Sequence, residues 1–315
     1  MIDPPLPVVE TTGIELHPNG SGVVLIRVPQ SRRRPHRHSV NKEAFVRRAD
    51  EAVRISMREI QELTIQSIAE ATRIETTINE RRGKFLSDAM DWHGHRLENG
   101  RRWGGGFQLI GIPTTPVELV RVVGRPGLTG APSRVFAGFG GERQVECVWP
   151  QARNLDWKPG LRSIFAQNVV NRSQDGFPDR KTIYSLQTNG VCELSHIFQA
   201  NRRVPGLFAG WMAGVLGFML AWVDRIRDEG GVSAEYALAV QLLIFDQPVL
   251  FAEYGVGSFA ETRGAALSEG EHVFPIMSIG TNDEFSRHLE RFDEDLWNLA
   301  GFDIQRIGPK FKIVL

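Results

Sequence analysis

The chain has 315 residues, of which 42% are hydrophobic and 23% are charged, and its 37 basic and 37 acidic residues give a formal net charge of zero. This composition is typical of a globular protein with room for one large domain or two ordinary ones, and it excludes a disordered or fibrous chain. A neutral chain does not attract nucleic acid with its whole surface, so such an attraction requires a local patch of basic residues.

The cysteine content and the first residues indicate the compartment. Cys147 and Cys192 are the only cysteines, too few for a disulfide framework, and free thiols persist in a reducing cytoplasm. The N-terminal stretch has neither the basic start nor the apolar core of a signal peptide. We therefore expect a cytoplasmic protein with no membrane partner.

The first clear strand signal is Val23–Val28, which is apolar and rich in β-branched residues except at Arg27. Such a run predicts a strand that is buried on both faces or nearly so. Ile14–Leu16 is predicted to pair with this strand through a turn at residues 17–20, where the sequence reads His-Pro-Asn-Gly.

A basic segment, Arg27–Arg48, overlaps the end of this strand. It holds eight Lys or Arg residues and one acidic residue, Glu43, so its formal charge is +7 and the rest of the chain carries −7. Because the planar guanidinium of Arg binds phosphate oxygens in pairs, the segment is a candidate phosphate-binding surface. The side chains that we expect to contact phosphate are Arg32, Arg33, Arg34, Arg37, Lys42, Arg47 and Arg48. The alternative is a solvated loop whose charges keep a sheet edge soluble.

A second short strand is predicted at Ala44–Arg48, and a long helix follows it. Ser56–Glu59 has the spacing of a capping box, and apolar residues then recur at helical intervals to about Asp91, with a weak point at Gly83. A helix of this length outside a core is typical of a connecting or self-associating element. The residues expected to self-associate are Ile60, Leu63, Ile74 and Ile78. The alternative is two ordinary packed helices joined near Gly83.

Several short elements of this region occur in the order found in a known family. They are Ile26–Ser31, Arg34–His36, Phe45–Arg48 and Ser56–Ile60. In these elements the chain resembles the C-terminal half of the Schlafen-type Alba-like domain, whose bacterial members are called predicted transcriptional regulators or ATP-binding proteins. The resemblance implies an α/β piece related to a nucleic-acid-binding fold. It does not imply nuclease activity, because the acidic residues that some relatives use to cleave RNA lie in a part of the domain without a counterpart here.

The Gly-rich stretch Asn99–Gly106 predicts a linker between domains. We therefore divide the chain into a partial Alba-like domain at residues 1–56, a connecting helical segment at 57–98 and a mixed α+β domain at 99–315. In this last domain, short strands are predicted at Phe107–Ile112, Val117–Val123, Arg134–Phe139 and Val145–Trp149.

The remaining elements are punctuated by glycine. An Asn-Gly pair at 189–190 predicts a hairpin between two alternating runs. Val204–Val223 carries no charge over 20 positions and is long enough to cross a bilayer, but its four glycines and its place between strand-like stretches favour a buried helix that ends at Gly230 and Gly231. The other elements expected are the hairpin strands Thr182–Leu186 and Val191–Phe198, the strands Tyr236–Phe245 and Phe274–Ile279, and a last helix from Thr281–Glu284 to Gly301.

The sequence contains no recognised catalytic or cofactor motif. A P-loop and a G-x-S-x-G nucleophile motif are both absent. Asp91, His93 and His95 have the residue types of a metal site, but nothing nearby supplies the further ligand that zinc needs. Gly104–Gly106 neither follows a clear strand nor opens a helix, as phosphate-binding glycines do. We therefore expect no metal, cofactor or catalytic residue, and an ATP-binding label would rest on the family's naming alone.

Together these patterns predict an α+β protein that is not an enzyme. The function we expect is that of a nucleic-acid-binding regulator, which contacts DNA or RNA through the basic segment and carries a ligand-sensing or assembly domain at residues 99–315. A homo-oligomer would form through the helix at residues 57–91. Two alternatives stay open: a divergent nuclease or nucleotide hydrolase with unrecognised carboxylates, and a non-catalytic oligomerisation module.

Overall fold

The structure is a computed structural model that describes most of the chain. The described residues are 2–4, 6, 9–16, 20–28, 31, 34–48, 51–94, 103–119, 126–129, 135–138, 144–146, 155–170, 179–200, 206–245, 249–252, 263–280, 285–301 and 311–313. They form an α+β fold around one large antiparallel sheet.

The N-terminal part consists of short strands followed by a long helix. These elements are β1 (Ile2–Asp3), β2 (Glu10–Glu15), β3 (Gly22–Arg27), β4 (Arg37–His38), β5 (Phe45–Arg48), β6 (Glu51–Arg54) and α1 (Met57–Gly94).

The part after α1 holds the large sheet and the remaining helices. Its strands are β7 (Trp103–Pro113), β8 (Val135–Gly138), β9 (Gln144–Glu146), β10 (Trp157–Pro159), β11 (Ser163–Val170), β12 (Asp179–Gln187), β13 (Cys192–Ala200), β14 (Gly206–Phe208), β15 (Tyr236–Phe245), β16 (Val249–Ala252), β17 (Arg263–Ala266), β18 (Gly270–Val273), β19 (Met277–Ile279) and β20 (Phe311–Ile313). Its helices are the single turn α2 (Pro126–Thr129), α3 (Ala209–Gly230) and α4 (Phe285–Leu299).

The large sheet has eight antiparallel strands in the order β10-β11-β12-β13-β7-β15-β18, with β19 pairing beside β18 on β15. β7 is an interior strand, bonded to β13 on one side and to β15 on the other. Gly104–Gly106 lies inside β7 and is buried, so the interpretation of these glycines as a linker is wrong. The cause is close packing: a Cβ at Gly106 would lie 2.5 Å from the ring of Phe85 on α1. The domain boundary itself stays a prediction, since Asn99–Arg102 lies outside the described residues.

One face of this sheet carries the main hydrophobic core. Phe107, Leu194 and Leu238 project from three neighbouring strands against α3 and α4. As predicted from its uncharged sequence, α3 is a buried helix, although Gly206–Phe208 of the predicted run form β14. The helix ends at Gly230 and is followed by Gly231, whose φ of 61° suits glycine. Among the described residues, no helix is both long and apolar enough to cross a membrane.

A buried arginine joins α3 to the edge of the sheet. The guanidinium of Arg227 donates to the carbonyls of Ala234, Ile279 and Gly280 at 2.6 to 2.7 Å and to the carboxylate of Asp224 at 3.2 Å. Its donors are therefore largely satisfied inside the core, which is the condition for tolerating a buried charge.

The C-terminal half of α1 packs on the opposite face of the sheet. Ile74 and Ile78 contact the apolar side chains Ile110 and Ile112 of β7, and Phe85 packs further along the helix. A polar network crosses the same interface and is centred on a carboxylate. Glu193 accepts hydrogen bonds from Arg81 at 3.1 Å, Gln108 at 2.9 Å and Ser195 at 3.0 Å. The molecule therefore has three layers, with the sheet between α1 and the pair α3 and α4.

α1 is one continuous helix of 38 residues, so the alternative of two helices joined near Gly83 is wrong. Glycine in a helix interior costs about 1 kcal/mol relative to alanine, and the packing of the flanking Ile78 and Phe85 outweighs that cost. The expected self-association residues Ile74 and Ile78 are fully buried against the sheet, so they serve the chain's own core. In the first half of α1, by contrast, Ile65 and Ile68 are exposed.

The short N-terminal strands form separate two-stranded sheets. β2 pairs with β3, as predicted, β5 pairs with β6, and β1 pairs with β4. The expectation that Val23–Val28 is buried on both faces is wrong. Val23, Val24, Leu25 and Ile26 are between 51% and 67% exposed. The apolar run predicts the strand correctly, but within the described residues nothing packs over it.

Most of the remaining predictions for the second half are confirmed. The hairpin of β12 and β13 has Gly190 in its turn, at a φ of 87° that favours glycine, and β15 spans the predicted residues. Val117–Leu119 is an irregular segment and not a strand, and only Met277–Ile279 of the predicted last strand is one. The start of the last helix at Thr281–Glu284 lies outside the described residues.

Candidate functional site

The described part of the basic segment contains the last residue of β3, the two-residue strand β4 and the strand β5. β3 pairs with β2, and β5 pairs with β6, in two separate sheets. The two strands at the ends of the basic segment are therefore not adjacent, so they do not form one continuous phosphate-binding surface. The described side chains among the seven candidates are those of Arg34, Arg37, Lys42 and Arg48. Arg32 and Arg33 lie outside the described residues, and Arg47 is described only as part of β5.

Arg34 holds the loop against α1 and is not available to a ligand. Its guanidinium forms an ion pair of 3.2 Å with Glu70, and the two side chains are only 12% and 11% exposed. Breaking a buried ion pair by removing one of its partners typically costs about 3–5 kcal/mol. Arg34 is therefore a structural residue.

Arg37 and Lys42 lie at the surface. Arg37 pairs with Asp3 at 3.4 Å, and both side chains are about half exposed, as is typical of a weak surface ion pair. Lys42 is exposed, and its φ of 59° places it in a tight turn in which its backbone N–H donates to the carbonyl of His38 at 2.9 Å. The turn aims a short basic loop at solvent.

Arg48 contacts the N-terminus of α1 through the predicted capping box. The carboxylate of Glu59 accepts from the backbone N–H of Ser56 at 2.7 Å, and it also accepts from Arg48. The hydrogen bond from the Ser56 backbone, followed by those from the Ser56 hydroxyl and from Arg48, lowers the pKa of Glu59 to about 2. Glu59 is therefore held mainly by the helix cap, and Arg48 can leave it without exposing an unpaired carboxylate.

One basic side chain of this surface was missed by the sequence analysis. Arg54 on β6 is 73% exposed and pairs with Glu43. It lies beyond the segment that was counted, on a strand that was not predicted. The signal was present, because Phe45–Arg48 and Glu51–Arg54 are two four-residue stretches separated by only two residues, the spacing of a tight hairpin.

The arrangement is a set of exposed cations, and the carboxylates that pair with three of them are partly exposed. Surface ion pairs contribute about 0–1 kcal/mol, so a phosphate that makes charge-assisted hydrogen bonds can replace the carboxylates at Arg37, Arg48 and Arg54. The same pairs also reduce the net positive potential below what a formal count of +7 suggests. The two interpretations therefore predict different numbers of contacts. A phosphate-binding surface places several of these cations on a nucleic acid, whereas a solvated surface places none.

Two other chemistries were considered from the sequence. Gly104–Gly106 is enclosed between β13 and β15 and cannot approach a phosphate group. His93 stacks on Phe245 with ring centroids 4.3 Å apart, and His95 lies outside the described residues. In the part of the chain that the structure describes, no three His, Cys, Asp or Glu side chains are grouped as a metal site.

Comparison of the chain with protein-family models, with curated proteins and with solved structures gives no match. The resemblance to the Schlafen-type Alba-like domain therefore stays a prediction carried by the short elements within Ile26–Ile60.

Proposed function

We propose that the protein is a nucleic-acid-binding regulator that contacts phosphates through its basic segment, as the resemblance to the Alba-like domain implies. The observation that carries the proposal is the exposure of Arg37, Lys42, Arg48 and Arg54. The carboxylates that pair with the three arginines are themselves partly exposed. Residues 99–315 would supply a ligand-sensing or assembly function. Either DNA or RNA suits this chemistry, since the phosphate backbone is common to both.

The test is the salt dependence of binding to labelled duplex DNA and to single-stranded RNA. Each phosphate contact contributes a slope of about −0.9 in log affinity against log salt on duplex DNA and about −0.7 on single strands. Replacing Arg37, Lys42 and Arg48 together by alanine should therefore flatten the slope by roughly 2 to 3 units. Arg34 is left in place because its loss would disturb the fold.

A matched control removes two exposed cations from the far edge of the large sheet, Lys158→Ala with Arg162→Ala. This variant should keep the wild-type slope. If the triple variant melts like the wild type and its slope is unchanged, the basic segment does not contact phosphates and the proposal is wrong.

A second candidate function, self-association, is favoured by a separate observation. Val24 and Ile26 share one exposed face of β3, and Ile65 and Ile68 share one exposed face of α1. A two-stranded hairpin is marginally stable alone in water, and burial of its apolar face by a second copy would stabilise it. These residues replace the buried Ile74 and Ile78 of the sequence prediction.

The mass of the protein in solution tests this candidate. Val24→Lys with Ile26→Lys, or Ile65→Lys with Ile68→Lys, should lower the mass measured by light scattering. Leu161→Lys is the control, because this leucine is almost fully exposed at a turn of the large sheet and belongs to neither surface. A wild type that is monomeric at all concentrations, or a mass that none of the variants changes, would exclude self-association through these faces.

A further inference from the structure

A groove lies between α1 and the part of the large sheet that α1 leaves uncovered. The helix packs over β13, β7 and β15, while β11 and β12 extend beyond it on the same face. The groove has a volume of about 450 Å³. Cavities that hold small molecules typically measure about 300–1,000 Å³, so this one matches a ligand of the size of a mononucleotide or smaller.

The floor of the groove is different from a plain solvated sheet face. Phe165 lies on the floor of the groove and is 40% exposed, although an aromatic ring of this size would normally be covered. It is flanked by Ile183 and Gln167 along the floor and by Ser185 on the neighbouring strand. A flat apolar surface surrounded by small polar groups is suited to stacking a planar ring and bonding its substituents.

The charges that line the groove leave a positive excess. Arg81 and Glu193 are paired with one another at 3.1 Å and so largely neutralise each other. Lys84 and Lys181 line the same groove, and neither has an ion-pair partner among the described residues. Asp88 is the one other acidic residue in the lining. A bound anion would therefore find two ammonium groups that form no ion pair with any described residue.

We propose that this groove binds a small aromatic anion, a planar ring that carries a carboxylate or a phosphate. The ring stacks on Phe165, and the anionic group lies within reach of Lys84 and Lys181. The inference deepens the ligand-sensing part of the proposed function, and it does not require the basic segment to contact nucleic acid. Because α1 forms one wall of the groove, the ligand would also contact the helix that follows the basic segment in the chain.

The experiment is calorimetric titration of the full chain, without nucleic acid, with two anions and their neutral counterparts. Adenosine monophosphate against adenosine tests a phosphate, and 4-hydroxybenzoate against 4-hydroxybenzamide tests a carboxylate. We expect one of the anions to bind with a Kd of about 1 mM or tighter, and its neutral counterpart to bind about tenfold more weakly. The pair in which the anion binds more tightly than its neutral counterpart shows whether the groove prefers a phosphate or a carboxylate.

Single substitutions then locate the binding site. Lys181→Gln and Lys84→Gln should each weaken binding by about tenfold with an unchanged melting temperature, and Phe165→Ala should weaken both anion and neutral analogue. Lys158→Gln, an exposed lysine on β10 outside the groove, should bind as the wild type does. The proposal is overturned if neither anion binds, or if both lysine variants bind with wild-type affinity. A normal salt slope for nucleic acid beside a failed titration would refute the groove alone, and the reverse would refute the basic segment alone.

Discussion

Acid should destabilise the protein through a buried histidine in the main core. His196 on β13 lies on the α3 face of the sheet, with its Nδ1 2.8 Å from the hydroxyl of Thr182 and its ring centroid 5.2 Å from that of Trp211. Burial, together with the nearby charge of Arg180, lowers the pKa of His196 to about 3. The folded protein therefore keeps this ring neutral throughout the mildly acidic range.

The sign and size of the effect follow from proton linkage. An unfolded histidine takes up a proton below its pKa of about 6.5, whereas the folded one does not, so the stability contributed by the neutral ring is complete above this pH and is lost as the pH falls. At about pH 5, the unfolded state gains about 2 kcal/mol for this one residue. His288 on α4, whose pKa burial lowers to about 4, should contribute a similar amount.

Urea unfolding at about pH 7.5 and about pH 5 measures this linkage. Wild type should lose about 2 kcal/mol more between the two pH values than His196→Asn, which carries no titrating ring at this position. His38→Asn is the control, since it changes an exposed histidine and leaves the buried ring in place. Equal pH dependence in wild type and His196→Asn would show that the ring is protonated in the folded state, and it would refute the assigned burial.

Three further outcomes are expected from the packing. Ile74→Ala should lower the free energy of unfolding by about 2–4 kcal/mol in denaturant titrations, whereas Ile65→Ala should change it by less than about 0.5 kcal/mol; equal effects would contradict the docking of α1. Arg227→Ala should cost about 3–5 kcal/mol, because it removes the buried cation that donates to Asp224 and to three carbonyls, and a mild loss would show that water replaces the guanidinium. The Cys192 thiol, whose pKa burial raises, should resist alkylation until the protein is unfolded, as mass spectrometry of the native protein would show.

Local patterns in the sequence were sufficient to predict the elements with strong internal signals. The capping box at Ser56–Glu59, the Asn-Gly turn before β13 and the uncharged run that became α3 each depend on residues close together in the chain. Packing between distant elements could not be predicted in this way. Gly104–Gly106 suggested a linker, because the contacts that require small residues there, such as the ring of Phe85 beside Gly106, are made only after folding.

The sequence predicted most of the basic residues that the candidate site contains, but it did not predict their contacts. Counting charges located a basic surface, but it could not tell which of its arginines are accessible. Arg34 is buried in an ion pair with Glu70, whereas Arg48 is exposed. The partner carboxylate of Arg34 lies 36 residues away on α1, so no local pattern reveals the pair. The groove beside α1 was likewise invisible, because β11 and β12 contribute its floor only once they extend past the helix.

The position of β7 between two later strands of the sheet has a consequence for synthesis on the ribosome. Leu109 pairs with Leu194, 85 residues later, and with Val240, 131 residues later. Both neighbours of this apolar strand therefore emerge long after it does, and the loops that must close are large, which slows folding. Until residue 245 has left the exit tunnel, β7 lacks one of its two partners and offers an unpaired edge. Nascent chains that stall between β13 and β15 should consequently depend most on chaperones.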